Sequence, residues 1–365
     1  MTTASGTTAA LHARATVLPS GEVRDVYVAE GRVVDTRPAD VEPLGGGWLL
    51  PGLVDAHSHV GMGPDGAVPP DIAEQQALTD RDAGALLLRD AGSAADTRWM
   101  DDRDDLPRIV RAGRHIARPR RYLRGFAAEI EPADLVAEVR RQARAGDGWV
   151  KLVGDWIDRD AGDLAPLWPV DVLTAAVSAA HEEGSRVTAH TFTEQAVTEM
   201  VAAGVDGIEH GTGLTDAVID EMAGRRVALV STRLQIDTFL GHAEAGEAKF
   251  PNYARHMRAL YQRADVTLRA AYEAGVPLYA GTDAGSALPH GLIADEVTAL
   301  VAKVGMAPAD AVASASWSAR DWLGFRSGLT AGDPADFVLY DDDPQINPRI
   351  LAYPRRVILG GLVVR

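Results

Sequence analysis

From Leu49 onward, short apolar segments alternate with segments of helical periodicity, and this alternation constrains the fold more than any other feature of the sequence. It is typical of a parallel sheet whose strands are connected by helices. Eight strand candidates occur here, namely 54–57, 84–90, a strand beginning at 108, 149–152, 186–190, 205–210, 227–231 and 276–283. Eight strands with helical crossovers close a (β/α)8 barrel, which we therefore predict.

The helix boundaries in this region follow the usual capping preferences. A helix over 171–183 is predicted to start at Asp171 as its N-cap and to end before Gly184. The helix over 194–203 is predicted to end in the same way, before Gly204. Apolar residues recur at helical spacing within the first of these helices, which indicates one face packed against the sheet.

The two ends of the chain have strand and turn patterns without a helical period. Ser20-Gly21 and Glu30-Gly31 are typical hairpin turns, and Gly360-Gly361 is a third near the C-terminus. We expect residues 9–48 and 328–365 to pair into one small composite β-sandwich domain beside a catalytic barrel of residues 49–327. The first eight residues are small and polar and are predicted to form a disordered tail.

Composition narrows the classes of partner. The chain has 365 residues, enough for one barrel of about 250 residues and a smaller domain. Its net charge of −16 disfavours nucleic acid and anionic membranes, and the absence of cysteine excludes disulfides and thiolate metal sites. No segment resembles a signal peptide or a membrane span. We expect a cytoplasmic protein that binds a small molecule, and a homo-oligomeric state stays open.

His57-Ser58-His59 is the first pattern that indicates chemistry. Residues i and i+2 of a strand point to one side, so both imidazoles can reach a single metal ion. An isolated pair of this kind is more often two exposed polar residues. This pair ends the apolar segment Leu50–Asp55, where an exposed pair is not expected.

Four further polar residues fall at corresponding places. Lys151, His190, His210 and Asp283 each lie at or near the C-terminal end of a predicted strand. Each alone has an ordinary explanation: a surface lysine, a core histidine or a helix-capping aspartate. Active sites of (β/α)8 barrels are built at that end of the strands, so the joint pattern predicts one site.

These segments resemble the amidohydrolase superfamily, in particular its imidazolonepropionase-like and prolidase-like branch. The resemblance rests on the strand-one segment Pro51–His59, the strand-five and strand-six segments Val187–His190 and Ile208–Gly211, the strand-eight segment Gly281–Gly285 and the returning strand Gly332–Phe337. It spans roughly Val26 to Val364 and implies a metal-dependent hydrolase.

The resemblance also implies a binuclear metal centre. Its ligands would be His57, His59 and Asp283 for the more buried ion, His190 and His210 for the second, and Lys151, carboxylated by carbon dioxide, as the bridge. Imidazole and carboxylate ligands suit Zn²⁺, while Mn²⁺, Fe²⁺ and Co²⁺ stay open. A bridging water acidified by the two ions would attack the substrate carbonyl, and Asp283 would act as the catalytic proton carrier.

The expected reaction is hydrolysis of an amide or peptide-like C–N bond, in an N-acyl amino acid or a dipeptide-like substrate. Opening of a cyclic amide, as in imidazolonepropionase, is the alternative, and hydrolysis of an ester, lactone or organophosphate uses the same machinery. Deamination is disfavoured because its usual mononuclear site would not need Lys151. The non-enzymatic alternative is a metal-free binding protein on the same fold.

Loops after strands three, four and eight supply candidates for substrate binding. The predicted substrate-binding residues are Tyr122, Arg120, Arg121 and His290. Arginine is suited to bidentate binding of a carboxylate, although a solvated loop that pairs with the acidic segment 101–105 would have the same composition. Trp156 and Trp168 could form the wall of an apolar pocket or simply pack.

Overall fold

The computed structural model of the protein describes residues 9–365, so the predicted tail lies outside the described residues. The first strands are β1 (Ala10–Val17), β2 (Glu22–Ala29), β3 (Arg32–Val34), β4 (Val41–Gly45) and β5 (Trp48–Pro51). β1 pairs antiparallel with β2, while β4 and β5 pair parallel with β1. The predicted turn between β2 and β3 is present, with φ of 50° at Glu30 and 75° at Gly31, as a tight hairpin turn requires.

Strands and helices then alternate. The strands are β6 (Leu53–Ser58), β7 (Met62–Gly63), β8 (Gly66–Ala67), β9 (Ala85–Asp90), β10 (Arg108–Arg111), β11 (Ile116–Ala117), β12 (Ala128–Glu129), β13 (Trp149–Val153), β14 (Asp155–Asp158), β15 (Asp163–Pro166), β16 (Arg186–Thr191), β17 (Gly207–His210), β18 (Ala228–Val230) and β19 (Leu278–Tyr279). The helices are α1 (Pro70–Asp82), α2 (Leu135–Ala145), α3 (Val170–Glu182), α4 (Glu194–Ala203), α5 (Asp216–Arg225), α6 (Arg233–Ile236), α7 (Phe239–Glu247), α8 (Pro251–Glu273), α9 (Ile293–Ala299), α10 (Pro308–Ser314) and α11 (Trp317–Leu323).

Two parallel sheets form the centre of this α/β region. One has the strand order β10-β9-β6, and the other has the order β12-β11-β13-β16-β17-β18-β19. Backbone hydrogen bonds connect β6 with the segment after β19, since Ala56 N donates to Ala280 O over 2.9 Å and Asp283 N donates to His57 O over 2.7 Å. The carboxyl ends of β6 and β19 therefore lie side by side.

The C-terminal strands return to the first sheet. β20 (Phe337–Tyr340), β21 (Arg356–Leu359) and β22 (Leu362–Val363) follow one another, and β20 pairs antiparallel with β5. Both ends of the chain thus share one eight-stranded sheet, as their strand patterns predict. This sheet has an apolar cluster of its own, which includes Leu11, Val26, Leu49 and Phe337.

Most predicted strands differ from the observed ones by one or two residues at an end, and two differences affect the interpretation. The N-cap of α3 is Pro169, so the prediction of Asp171 as the N-cap is wrong; its carboxylate lies in the first helical turn, where the helix dipole favours it. The eighth strand is predicted over 276–283, but β19 covers only Leu278–Tyr279. Among residues 9–365, no helix combines the length and the hydropathy needed to cross a bilayer.

Candidate metal centre

Three buried side chains meet at the carboxyl ends of β6 and β19. His57 and His59 lie at the end of β6, and the ligand atoms of His57, His59 and Asp283 all lie within 4.8 Å of one another. Asp283 Oδ1 lies 3.2 Å from His57 Nε2 and 3.0 Å from His59 Nε2. The predicted strand-one pair and the strand-eight aspartate are therefore close enough to bind one ion.

The Nδ1 atoms of both histidines in this cluster already form hydrogen bonds. His57 Nδ1 donates to Glu209 Oε2 over 2.6 Å, and His59 Nδ1 donates to the Gly92 carbonyl over 2.9 Å. In the neutral rings, both Nε2 atoms then carry lone pairs, and they face each other across 3.2 Å. Two acceptors this close need a positive ion between them, either a proton or a metal ion in its place, and the outer hydrogen bonds orient both rings as metal ligands are oriented.

The electrostatics also favour a positive charge here. Burial lowers the pKa of His59, but hydrogen bonds with Asp283 and Asp90 outweigh it and raise that pKa to about 9. Burial alone would raise the pKa of Asp283, but the nearby His57 and His59 imidazoles outweigh it and hold this pKa well below its usual range. The Asp283 carboxylate is thus anionic at neutral pH, as a metal ligand must be.

A second pair of histidines lies beside the first cluster. His190 Nδ1 and His210 Nε2 are 3.0 Å apart, and the His57 and His210 ring centroids are 5.4 Å apart. His210 Nδ1 contacts the Thr232 hydroxyl at 2.7 Å. Burial lowers the pKa of both imidazoles, that of His210 to about 3, so both rings are in the neutral form that binds metals.

Lys151 lies on β13 and is 1% exposed, and its charge acts on His190 and His210 of one cluster and on Asp283 of the other. Its position pairs with Thr188 on the neighbouring β16, two residues before His190. Burial lowers the pKa of its ammonium group to about 8, although the charges of Glu209 and Asp283 oppose the change. A lysine is rarely buried without a partner, so this one fits a site that modifies or uses its amine.

Three residues of the centre adopt left-handed backbone conformations. The φ angles are 66° at His210, 46° at Thr232 and 59° at Asp283. Residues other than glycine rarely adopt this region, and each instance costs about 1–3 kcal/mol. Such outliers cluster at functional sites, where surrounding contacts enforce them.

Aromatic side chains cover the His190 side of the centre. The ring centroids of Tyr122, Trp156 and Phe192 lie 5.5, 5.5 and 4.3 Å from that of His190. The structure therefore brings the predicted Tyr122 and Trp156 to the site. His115, which the sequence analysis missed, is fully buried between His59 and Tyr122, with centroid distances of 5.0 and 5.2 Å, and neither ring nitrogen has a hydrogen-bond partner.

The other predicted substrate-binding residues have different surroundings. Arg121 pairs with Asp158 at 2.8 Å and also donates to carbonyls of the β14–β15 hairpin, while Arg120 is exposed. His290 Nδ1 contacts Asp80 of α1 at 2.7 Å, and its buried Nε2 has no partner. The Trp168 indole donates to the Val153 carbonyl, which makes that residue part of the packing.

Two buried carboxylates, which were not predicted from the sequence, form hydrogen bonds with the segments that carry the candidate ligands. Asp55 accepts hydrogen bonds from His57 N, Thr282 N and the Thr282 hydroxyl, which fixes β6 against the segment that carries Asp283. Asp155 accepts from Phe192 N, Thr193 N and the Thr193 hydroxyl, just after His190. A separate cavity of about 960 Å³ is lined in part by Arg108 and Arg186, the first residues of β10 and β16.

Comparisons with known proteins show the family to which the chain belongs. Residues 48–364 match the sequence profile of the Amidohydrolase family. An uncharacterized protein of Mycobacterium tuberculosis is 54% identical over 353 residues, which are 96% of this chain and 95% of that protein. The ochratoxinase of Aspergillus niger is 27% identical over 235 residues, which are 62% of this chain and 48% of that protein.

A solved structure is also similar over most of the chain. A putative prolidase from Bifidobacterium longum superposes with a TM-score of 0.81 and 25% identity, covering 98% of this chain and 94% of that one. The family profile matches most of the chain, and the predicted prolidase-like branch is confirmed. The chain therefore belongs to the amidohydrolase family and is a hydrolytic enzyme that acts on C–N bonds.

Proposed function

We propose that this enzyme hydrolyses the amide bond of an N-acyl amino acid or a dipeptide-like substrate at a centre of two divalent cations. The observation that carries the proposal is the pair of neighbouring histidine clusters, with Asp283 in one and the buried Lys151 beside both. Similarity to a putative prolidase and to an ochratoxinase supports this class of substrate.

The proposed ligands divide between two ions. His57, His59 and Asp283 would hold the first ion, and His190 and His210 would hold the second through Nδ1 and Nε2, which face each other. These ligands suit Zn²⁺. When bound, the cations would polarise the substrate carbonyl and lower the pKa of a water molecule towards about 7.

Lys151 would bridge the two ions after reaction with carbon dioxide. The neutral amine adds to carbon dioxide and releases one proton, which leaves an anionic carbamate on the side chain. Only a neutral amine can react in this way, and burial lowers the pKa of Lys151 to about 8, which favours that form.

The protein's own groups would carry the proton and orient the substrate. Asp283 is anionic and lies among the ligands, so it can take a proton from the attacking water and pass it to the leaving amine. Tyr122 and Trp156 would cover the apolar part of the substrate, because both rings pack beside His190. Arg120, Arg121 and His290 stay proposals for binding a polar end of the substrate.

The same proposal includes the architecture. The hydrogen bonds that connect β6 with the segment after β19 support closure of the two parallel sheets into one (β/α)8 barrel over residues 49–327. The separate apolar cluster of the eight-stranded sheet supports a second, sandwich-like domain of residues 9–48 and 328–365.

The first test is the metal content of the purified chain, together with hydrolysis of a panel of N-acyl amino acids and dipeptides. We expect about two ions per chain, and loss of at least one ion together with activity in Lys151→Ala. Lys249→Ala, at an exposed lysine, is the matched control and should change neither. The chain has three lysines, so isotopically labelled bicarbonate should give a carbamate signal that is absent from Lys151→Ala alone. One ion per chain, unchanged in Lys151→Ala, would refute the bridged site.

A further inference from the structure

A fully buried arginine lies beneath the proposed metal centre. Arg89 is on β9 and is 0% exposed. Its Nη2 donates to Glu209 Oε1 over 2.5 Å, and its Nε donates to the Ala56 carbonyl over 2.8 Å. Its guanidinium carbon lies 4.7 and 5.0 Å from the ring centroids of Trp149 and Trp322. Two aromatic faces and two hydrogen bonds therefore fix the plane of the guanidinium group.

Glu209 connects this arginine to the centre. Its Oε2 accepts from His57 Nδ1 over 2.6 Å, while Arg89 and the Thr188 hydroxyl donate to Oε1. Glu209 is also 0% exposed. Both carboxylate oxygens are thus occupied, and the His57 ring cannot rotate without breaking a charged hydrogen bond.

Stability alone does not explain this arrangement. A buried ion pair is often no better for stability than apolar residues of the same volume, because removing two charges from water is costly. Here the cost is higher still, since Arg89 Nη1 is buried without a hydrogen-bond partner. The pair therefore needs another role, and Glu209 forms a hydrogen bond with the centre through His57.

We propose that Arg89 and Glu209 are positioning residues that hold the His57 ring with its Nε2 directed at the metal centre. The assignment rests on the proposed function, because it requires that His57 bind a metal ion. Glu209 would set which ring nitrogen of His57 carries the proton, and Arg89 would hold the Glu209 carboxylate in place. Outer hydrogen bonds of this kind typically change metal affinity by about 10–100-fold.

The test measures the affinity of the chelator-treated protein for Co²⁺, by competition with a chromogenic chelator and by the visible absorption of the bound ion. We expect Arg89→Met and Glu209→Gln to weaken the tighter Co²⁺ site by about 10–100-fold and to alter its absorption. Arg89→Lys keeps the charge but not the planar fork, so it should restore part of the affinity. Arg111→Met is the matched control, because Arg111 is also a buried arginine paired with aspartates.

The outcomes separate this assignment from the proposed function. Wild-type affinity and absorption in Arg89→Met or in the nearly isosteric Glu209→Gln would refute the positioning role while leaving the metal centre intact. An equal loss of affinity in Arg111→Met would also refute it, since general destabilisation would then explain the effect. A wild-type chain that binds no Co²⁺ or Zn²⁺ would overturn the proposed function, and this assignment with it.

Discussion

Replacing Asp155 with alanine should destabilise the chain strongly, because Asp155 satisfies three donors at once. Its carboxylate is 0% exposed and accepts from Phe192 N, Thr193 N and the Thr193 hydroxyl. A buried N–H group left without an acceptor costs about 1–3 kcal/mol. The two backbone donors alone therefore predict a loss of about 2–6 kcal/mol in the free energy of unfolding, out of the 5–15 kcal/mol typical of a folded domain.

Urea unfolding of the metal-free protein, followed by tryptophan fluorescence, measures this loss. Trp156 adjoins Asp155 in the chain and should report the local change. Asp160→Ala, at an exposed position of the same β14–β15 hairpin, is the control and should change the free energy by less than about 0.5 kcal/mol. A loss below about 1 kcal/mol in Asp155→Ala would show that water or a local rearrangement satisfies these donors, and the argument would fail.

Three further predictions concern Asp155, Gly285 and the neighbouring pair Arg120 and Arg121. Burial raises the pKa of Asp155 from its ordinary 3.8 to about 6, so about 3 kcal/mol of the stability present below pH 3.8 is lost as the pH rises through 6, while the ionised carboxylate still accepts its hydrogen bonds. Asp155→Asn should therefore gain up to about 3 kcal/mol relative to the wild type between pH 4 and pH 7, and a constant difference across unfolding curves in that range would contradict this. Gly285→Ala should lower the melting temperature and the metal content, because φ is 106° there and an added Cβ would lie 2.3 Å from the His59 carbonyl oxygen. The control Gly241→Ala, in open space on α7, should leave the metal content unchanged and leave the melting temperature unchanged or slightly higher. A Gly285→Ala protein with wild-type melting temperature and metal content would disprove the clash. Arg121→Glu should lower the melting temperature by breaking the ion pair with Asp158, whereas Arg120→Glu should not change it. If these arginines bind anionic substrates, both substitutions should raise the KM, and an unchanged KM would exclude that role.

The alternation of strands and helices was sufficient to place most of the parallel strands, although it did not predict the short strands β11 and β12. The predicted segments 84–90, 149–152 and 186–190 differ from β9, β13 and β16 by one residue at an end. The eighth strand is shorter because the His57 carbonyl accepts from both Thr282 N and Asp283 N, which turns the chain out of the sheet. Periodicity could not reveal that turn, since it depends on a contact between residues more than 200 positions apart.

The candidate ligands were predictable because they share one position, the carboxyl end of a strand. The groups that orient them were not identified in advance. Arg89 did leave a signal, since it is a charged residue directly after the apolar run Ala85–Leu88. His115 and Asp155 left none, because their partners come together only in the folded chain. A charge inside an apolar strand is thus a useful guide to residues that support a site.

The left-handed backbone at His210, Thr232 and Asp283 has a consequence for the evolution of this enzyme. On conformational grounds alone, glycine would suit all three positions better. Selection for heat resistance without selection for activity should therefore favour replacing these residues first. A lineage that gained stability in this way would lose two of the proposed metal ligands, so thermal stability and catalysis are in direct competition at these positions.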